Sequence, residues 1–86
     1  MVHIEFYGTV RLKSECDSID VEATSLAEAF AQLSKKLPQL NKNCFDNGRL
    51  RGGYLANLNG TTFTTDPATI LQSGDSLIIL SADVGG

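Results

Sequence analysis

The chain is poor in the side chains that do chemistry. It holds one histidine, His3, and two cysteines, Cys16 and Cys44, among 86 residues. Two thiols make neither a disulfide framework nor a zinc site, which takes about four ligands, so free thiols in a reducing compartment are expected. His3 stands beside Glu5 on an alternating segment and reads as a solvated strand residue. Nothing else completes a catalytic set. Basic charge is scarce as well: seven Lys and Arg against ten Asp and Glu give a net charge of −3. Phosphate backbones and anionic lipids attract basic surfaces. Nucleic acid and membrane are therefore not expected as partners, and a protein with a basic docking face suits the chain better. Met1-Val2-His3-Ile4-Glu5-Phe6 lacks the basic segment and long apolar stretch of a signal peptide. No apolar run nears the roughly 18 residues of a membrane span, and a cytoplasmic protein is expected. Repeats, low-complexity tracts and linkers are also missing, which leaves a single domain over 1–86 with a flexible C-terminal tail at about 82–86.

What is present is a clear alternation of elements. Val2, Ile4 and Phe6 alternate with His3 and Glu5, the period of a strand with unlike faces. Ile19 and Val21 alternate with Asp20 and Glu22, and the two runs predict a hairpin with a long loop. Ser25-Leu26-Ala27-Glu28 matches a capping box. Leu26, Phe30, Leu33 and Leu37 follow as one apolar stripe, and Pro38 ends the helix at or before Leu37. Between Gln39 and Gly53 the turn signal Asp46-Asn47-Gly48 predicts a short hairpin or a helical turn. Tyr54 to Leu58 reads as a strand, Asn59-Gly60 as a tight turn, and Thr61 to Thr64 as a short return. Asp66-Pro67 opens a helical turn through Leu71, and Gly74-Asp75 turns into a last strand over Ser76 to Ala82. Leu77-Ile78-Ile79-Leu80 is apolar throughout, which predicts a strand buried on both faces at the sheet centre, parallel to the first strand.

Beyond that strand the sequence reads Asp83-Val84-Gly85-Gly86. A glycine pair adds nothing to packing and has the greatest conformational freedom of any residue. It suits a carboxylate that must enter a narrow site in another protein, because no Cβ obstructs the approach; a frayed end is the plain alternative.

The order of elements, Leu58-Asn59-Gly60, the entry Gly74-Asp75-Ser76-Leu77 and the closing Gly85-Gly86 together resemble the MoaD/ThiS sulfur carriers. The resemblance covers nearly the whole chain. It implies an α+β, β-grasp (ubiquitin-like) roll, with a mixed sheet of four to five strands and one main helix packed on one face. The segment Phe45 to Arg51 resembles an insertion in the longer members, which points to the MoaD-like branch over the short thiamin type. Ser81-Ala82 stands where members often carry proline, and Asp83 where small or apolar residues are usual.

The resemblance implies a carrier, not an enzyme. Gly86 would bear the reactive carboxylate, adenylated and then converted to a thiocarboxylate, while Asp83, Val84 and Gly85 set its approach. The chain would bind no cofactor of its own. ATP and magnesium would belong to an adenylating enzyme of the ubiquitin-activating type (MoeB/ThiF-like). A sulfur-acceptor enzyme, a MoaE-like large subunit or equivalent, would be the second partner. Molybdopterin synthesis is the leading pathway, with cysteine, thiamin or tRNA thiolation as others. Conjugation of Gly86 to lysines, as a ubiquitin-like modifier, and a non-covalent adaptor with an idle tail are the rival functions.

Leu50-Arg51-Gly52-Gly53 repeats the end of ubiquitin in mid-chain and reads as a loop glycine pair with a basic flank. Cys16 and Cys44 read as structural or incidental thiols, with no obvious neighbour to activate them. Tyr7, Tyr54 and one face of the last strand are the expected docking patch on the outer sheet face.

Overall fold

The computed structural model describes residues 1–82. β1 (Val2–Phe6) buries Val2, Ile4 and Phe6 and turns His3 and Glu5 outward. Its antiparallel neighbour is β2 (Ser18–Val21), in register from Val2 opposite Val21 to Glu5 opposite Ser18. The expected loop between them contains a helix, α1 (Thr9–Ser14). Gly8 ends the strand at φ 64°, a conformation glycine enters at no steric cost. Val10 and Ser14, one turn apart, then face inward. The buried Ser14 hydroxyl lies 2.9 Å from the Arg11 carbonyl and 2.7 Å from that of Cys16, and Glu15 in the left-handed region stops the helix.

Ser25 caps α2 (Leu26–Lys36), its hydroxyl accepting the Glu28 N–H at 3.2 Å. Glu28 reaches back to the residue before the cap, accepting the Thr24 N–H at 2.6 Å and the Thr24 hydroxyl at 2.5 Å. Those bonds, the hydroxyl's first, hold the Glu28 carboxyl below its usual range. Leu26, Phe30 and Leu33 of the stripe are buried together with Ala29, and Leu37 packs at the core margin.

Leu37 closes α2 and opens the third helix, α3 (Pro38–Cys44). Pro38 suits its first turn, where a missing N–H costs nothing. Leu40 and Cys44 are buried, and the Phe45 ring meets that of Phe30 at 5.1 Å between centroids, tilted by 60°. A hairpin follows, β3 (Phe45–Asp46) with β4 (Arg49–Leu50), around Asn47 and Gly48, both at positive φ as a type I′ turn demands. The 39–53 segment therefore holds both a helix and a hairpin.

The remaining strands are β5 (Tyr54–Leu58), β6 (Thr62–Phe63) and β7 (Ser76–Ser81). The main sheet runs β2-β1-β7-β5-β6, with β7 parallel to β1 and antiparallel to β5, as the apolar last strand predicts. Two expectations need correction. The segment from Asp66 makes one turn, not a run through Leu71. Its carboxylate takes the Ala68 N–H at 2.9 Å, and Ile70 bridges Ser25 instead of continuing a helix. And β7 is buried on one face only: Leu77 and Ile79 are in the core, while Ile78 and Leu80 remain partly exposed on the other side.

The helices and the inward side chains of the sheet share one hydrophobic cluster, so the sheet is covered on a single face. This is the five-stranded, helix-backed roll of a β-grasp, with α1 and α3 added to the one main helix. No helix among the described residues is long and apolar enough to cross a membrane.

Candidate functional site

The uncovered face of the sheet and the end of β7 are adjacent, because Ile78 and Leu80 project from the strand that leads to residue 82. Strand alternation places Tyr7 beyond β1, Asn57 of β5 and Phe63 of β6 on the same side, and with Gly60 they line a shallow groove of about 320 Å³. Its walls are almost wholly apolar. Tyr7 and Phe63 are exposed, at 50% and 62%, which is high for aromatic side chains whose burial is worth about 1.5–3 kcal/mol each. The Asn57 side-chain oxygen is buried at this face without a hydrogen-bond partner among the described residues.

The exit of β7 is fixed on both sides. Tyr7 N–H donates to the Ile79 carbonyl at 3.0 Å, and Ala82 N–H donates to that of Gly53 at 2.7 Å. The mid-chain Gly52-Gly53 pair is thus a loop that anchors the base of the tail, with Gly53 at φ 95°. Asp83, Val84, Gly85 and Gly86, the residues predicted to carry and present the reactive group, lie outside the described residues.

At the other end of β7 the two short motifs behind the family resemblance meet. Asn59, held at φ 56°, donates its side-chain amide to Asp75 at 3.1 Å and accepts the Ser76 N–H at 2.8 Å. The Asp75 carboxylate also accepts the Gln72 N–H at 2.8 Å. That backbone bond first, and Asn59 second, hold the Asp75 carboxyl below its usual range.

The other predicted residues fall as follows. His3 is on the outer face, its Nδ1 2.7 Å from Asp20 and its Nε2 3.4 Å from Glu5. Its pKa is raised, chiefly by the hydrogen bond to Asp20. Cys16 and Cys44 are both free and not joined. Cys44 is buried; burial pushes its thiol up, against a hydrogen bond with the Tyr54 hydroxyl and the charges of Lys13 and Arg51. Tyr54 therefore belongs to the inner face, packed at the core margin, and not to the outer patch expected for it. The outer-face residues that sequence reading missed are Phe63 and Asn57. Their signal was the all-apolar β7 itself, since a sheet covered on one face needs only alternate residues apolar. Among the described residues no group of His, Cys, Asp and Glu is placed to hold a metal ion.

Comparison with known proteins places this geometry. The small archaeal modifier protein 1 of Methanosarcina acetivorans superposes with a TM-score of 0.82 at 20% identity, over 99% of this chain and 95% of its own. The likeness is one of fold. A chain of the Amycolatopsis orientalis BexX/CysO complex gives a TM-score of 0.82 at 16% identity, over 100% of both chains. The putative molybdopterin converting factor, subunit 1, of Pyrococcus furiosus gives 0.71 at 13% identity, over 93% of this chain and 94% of its own. No protein-family model matches the sequence, and no curated protein is similar enough in sequence to match.

Proposed function

We propose that this chain is a ubiquitin-like sulfur carrier of the MoaD/ThiS kind, working through a carboxylate at Gly86 and docking through the open face of its sheet. The observation that carries the reading is the position of β7. The central strand presents Ile78 and Leu80 to a partner and leads, within five residues of Ser81, to Gly85-Gly86. Four extended residues beyond Ala82 span at most about 14 Å. A partner seated on the groove can therefore receive the tail without any rearrangement of the sheet.

A carboxylate resists nucleophiles because of its charge. In the proposed cycle a Gly86 carboxylate oxygen attacks the α-phosphorus of ATP in the active site of an adenylating enzyme, and pyrophosphate leaves. Sulfide then attacks the acyl carbon of the mixed anhydride and AMP leaves, which yields a thiocarboxylate. The chain supplies the acyl group and the docking surface; magnesium, ATP and the catalytic side chains are the partner's. The proposed acceptor is a molybdopterin precursor, which the likeness to the putative molybdopterin converting factor subunit supports. The likeness to small archaeal modifier protein 1 supports a second reading, in which the same adenylate is captured by a lysine amine.

The test begins from chain whose intact mass shows Gly86 as its last residue. It is incubated with an adenylating enzyme of the ubiquitin-activating type, magnesium-ATP and sulfide, beside a variant lacking Gly86. The expected result is a mass gain equal to exchange of one oxygen for sulfur, confined to the C-terminal peptide and to the full-length chain. Lysine-linked conjugates without that gain would favour the modifier reading. No modification by an enzyme active on another carrier would overturn both.

A further inference from the structure

The open sheet face divides by chemistry. Over β5, β6 and β7 it is the apolar groove. Over β1 and β2 it is a connected polar row: Asp20 to His3 at 2.7 Å, His3 to Glu5 at 3.4 Å, and the Tyr7 hydroxyl donating to Glu5 at 3.2 Å. Tyr7 belongs to both halves, its ring lining the groove and its hydroxyl ending the row. All seven Lys and Arg lie between Arg11 and Arg51, and none falls in a strand of the main sheet. Among the described residues the ion pairs of Glu5 and Asp20 are with His3 alone.

We infer that groove and carboxylate row form one two-part docking surface for the adenylating enzyme, whose matching face sets an apolar side chain in the groove and an arginine or lysine over Glu5 and Asp20. The inference rests on the carrier reading and adds the chemistry of the partner. Two observations converge on it. The exposed aromatics call for apolar cover, and the carboxylates, at 42% and 56% side-chain exposure, have no arginine or lysine of this chain to meet. A partner arginine or lysine competes with His3 for the same oxygens.

That competition makes docking depend on pH. Around the His3 ring the titratable groups are Asp20 from β2, and Glu5 and Tyr7 along β1. From the β7 side His3 stands level with Ser76, and the Asp75 carboxylate is turned to Gln72 and Asn59. Protonated, His3 offsets one of the two negative charges; neutral, it leaves both to the partner. Docking to a basic face therefore tightens as pH rises through the His3 pKa.

The test is ATP–pyrophosphate exchange by the adenylating enzyme, with KM for this protein as the docking readout. Glu5→Gln with Asp20→Asn is expected to raise KM about three- to tenfold, leave kcat within about twofold and flatten the rise of KM with salt. Glu5→Gln alone gives a smaller change of the same sign, should the pair unfold. Ile78→Ser raises KM without altering the salt dependence. His3→Gln removes the fall of KM between about pH 6 and 8, and Asp46→Asn, on the separate hairpin, changes nothing. An unchanged KM and salt dependence in folded Glu5→Gln overturns the inference while the carrier reading stands. Absence of Gly86-dependent exchange by the wild type overturns the carrier reading, and this inference with it. A concentration-dependent dimer of the protein alone, abolished by Ile78→Ser, would assign the face to a second copy instead.

Discussion

Replacing Asn59 tests the clamp that joins the two short motifs. Its side chain makes two hydrogen bonds, one with Asp75 and one with the Ser76 N–H, and its backbone sits at φ 56°. Each bond contributes about 0.5–1.5 kcal/mol, nearer the lower figure at an exposed site. Two such bonds give about 1–2 kcal/mol for Asn59→Gly, which keeps the left-handed backbone accessible. Asn59→Ala loses the same bonds and adds about 1 kcal/mol for a Cβ in that region, for a total of about 2–3 kcal/mol. In a domain of this size 1 kcal/mol moves Tm by about 4–8 °C. The glycine variant should therefore melt about 5–15 °C below the wild type, and the alanine variant about 4–8 °C lower still. Thermal denaturation followed by far-UV circular dichroism, with urea midpoints as a check, measures both. Alanine melting at or above glycine would refute the backbone argument. Both variants melting with the wild type would show that the amide contributes no net stability.

Other expectations follow from the same contacts. The depressed Asp75 carboxyl stabilises the fold above its unfolded pKa, about 3.9, and that stability is lost as pH falls through the lower folded value; Asp75→Asn should shallow the acid limb of urea stability measured between pH 5 and 2. His3 has the opposite sign: its contribution is full below about pH 6.5 and lost as pH rises through the raised folded value, so His3→Gln should flatten the change in stability between pH 6 and 8, measured by urea denaturation across that range. Phe30→Ala removes a fully buried ring and its contact with Phe45, and should cost about 3–5 kcal/mol in chemical denaturation. In the native protein iodoacetamide should label partly exposed Cys16 before buried Cys44, as read by peptide mapping, and Cys44 should react only on unfolding.

Most of the framework was legible because it is written in periods and turn chemistry. The Leu26/Phe30/Leu33 stripe and the Ser25 cap fix α2 locally, and Asn47-Gly48 and Asn59-Gly60 are turns for which few other residues serve. The pairing of β1 with β7 followed from the apolar last strand. α1 was not legible, since its six residues bury one apolar side chain, Val10, and leave Leu12 at 78% exposure. α3 was hidden for a related reason: its inward residues are Leu40 and Cys44 alone, and a two-point pattern does not distinguish helix from loop. Tyr54 was misplaced because an aromatic at a strand start carries no sign of its face. The thiol of Cys44 and the pairing with Ser81, both distant in sequence, put it inside. The candidate site was half visible. Ile78 and Leu80 could be suspected, whereas Phe63 and Asn57 join them only through the β5–β6 register.

The central place of β7 also has a mechanical meaning. A partner that grips the tail and draws it into a channel pulls β7 along its own axis. The strand is laced on one side to β1 and on the other to β5, and Ala82 is tied to Gly53. Tension along that line loads both ladders in shear, so their bonds must yield together; an edge strand would peel one bond at a time. The element that hands over the tail is the one best placed to withstand being pulled.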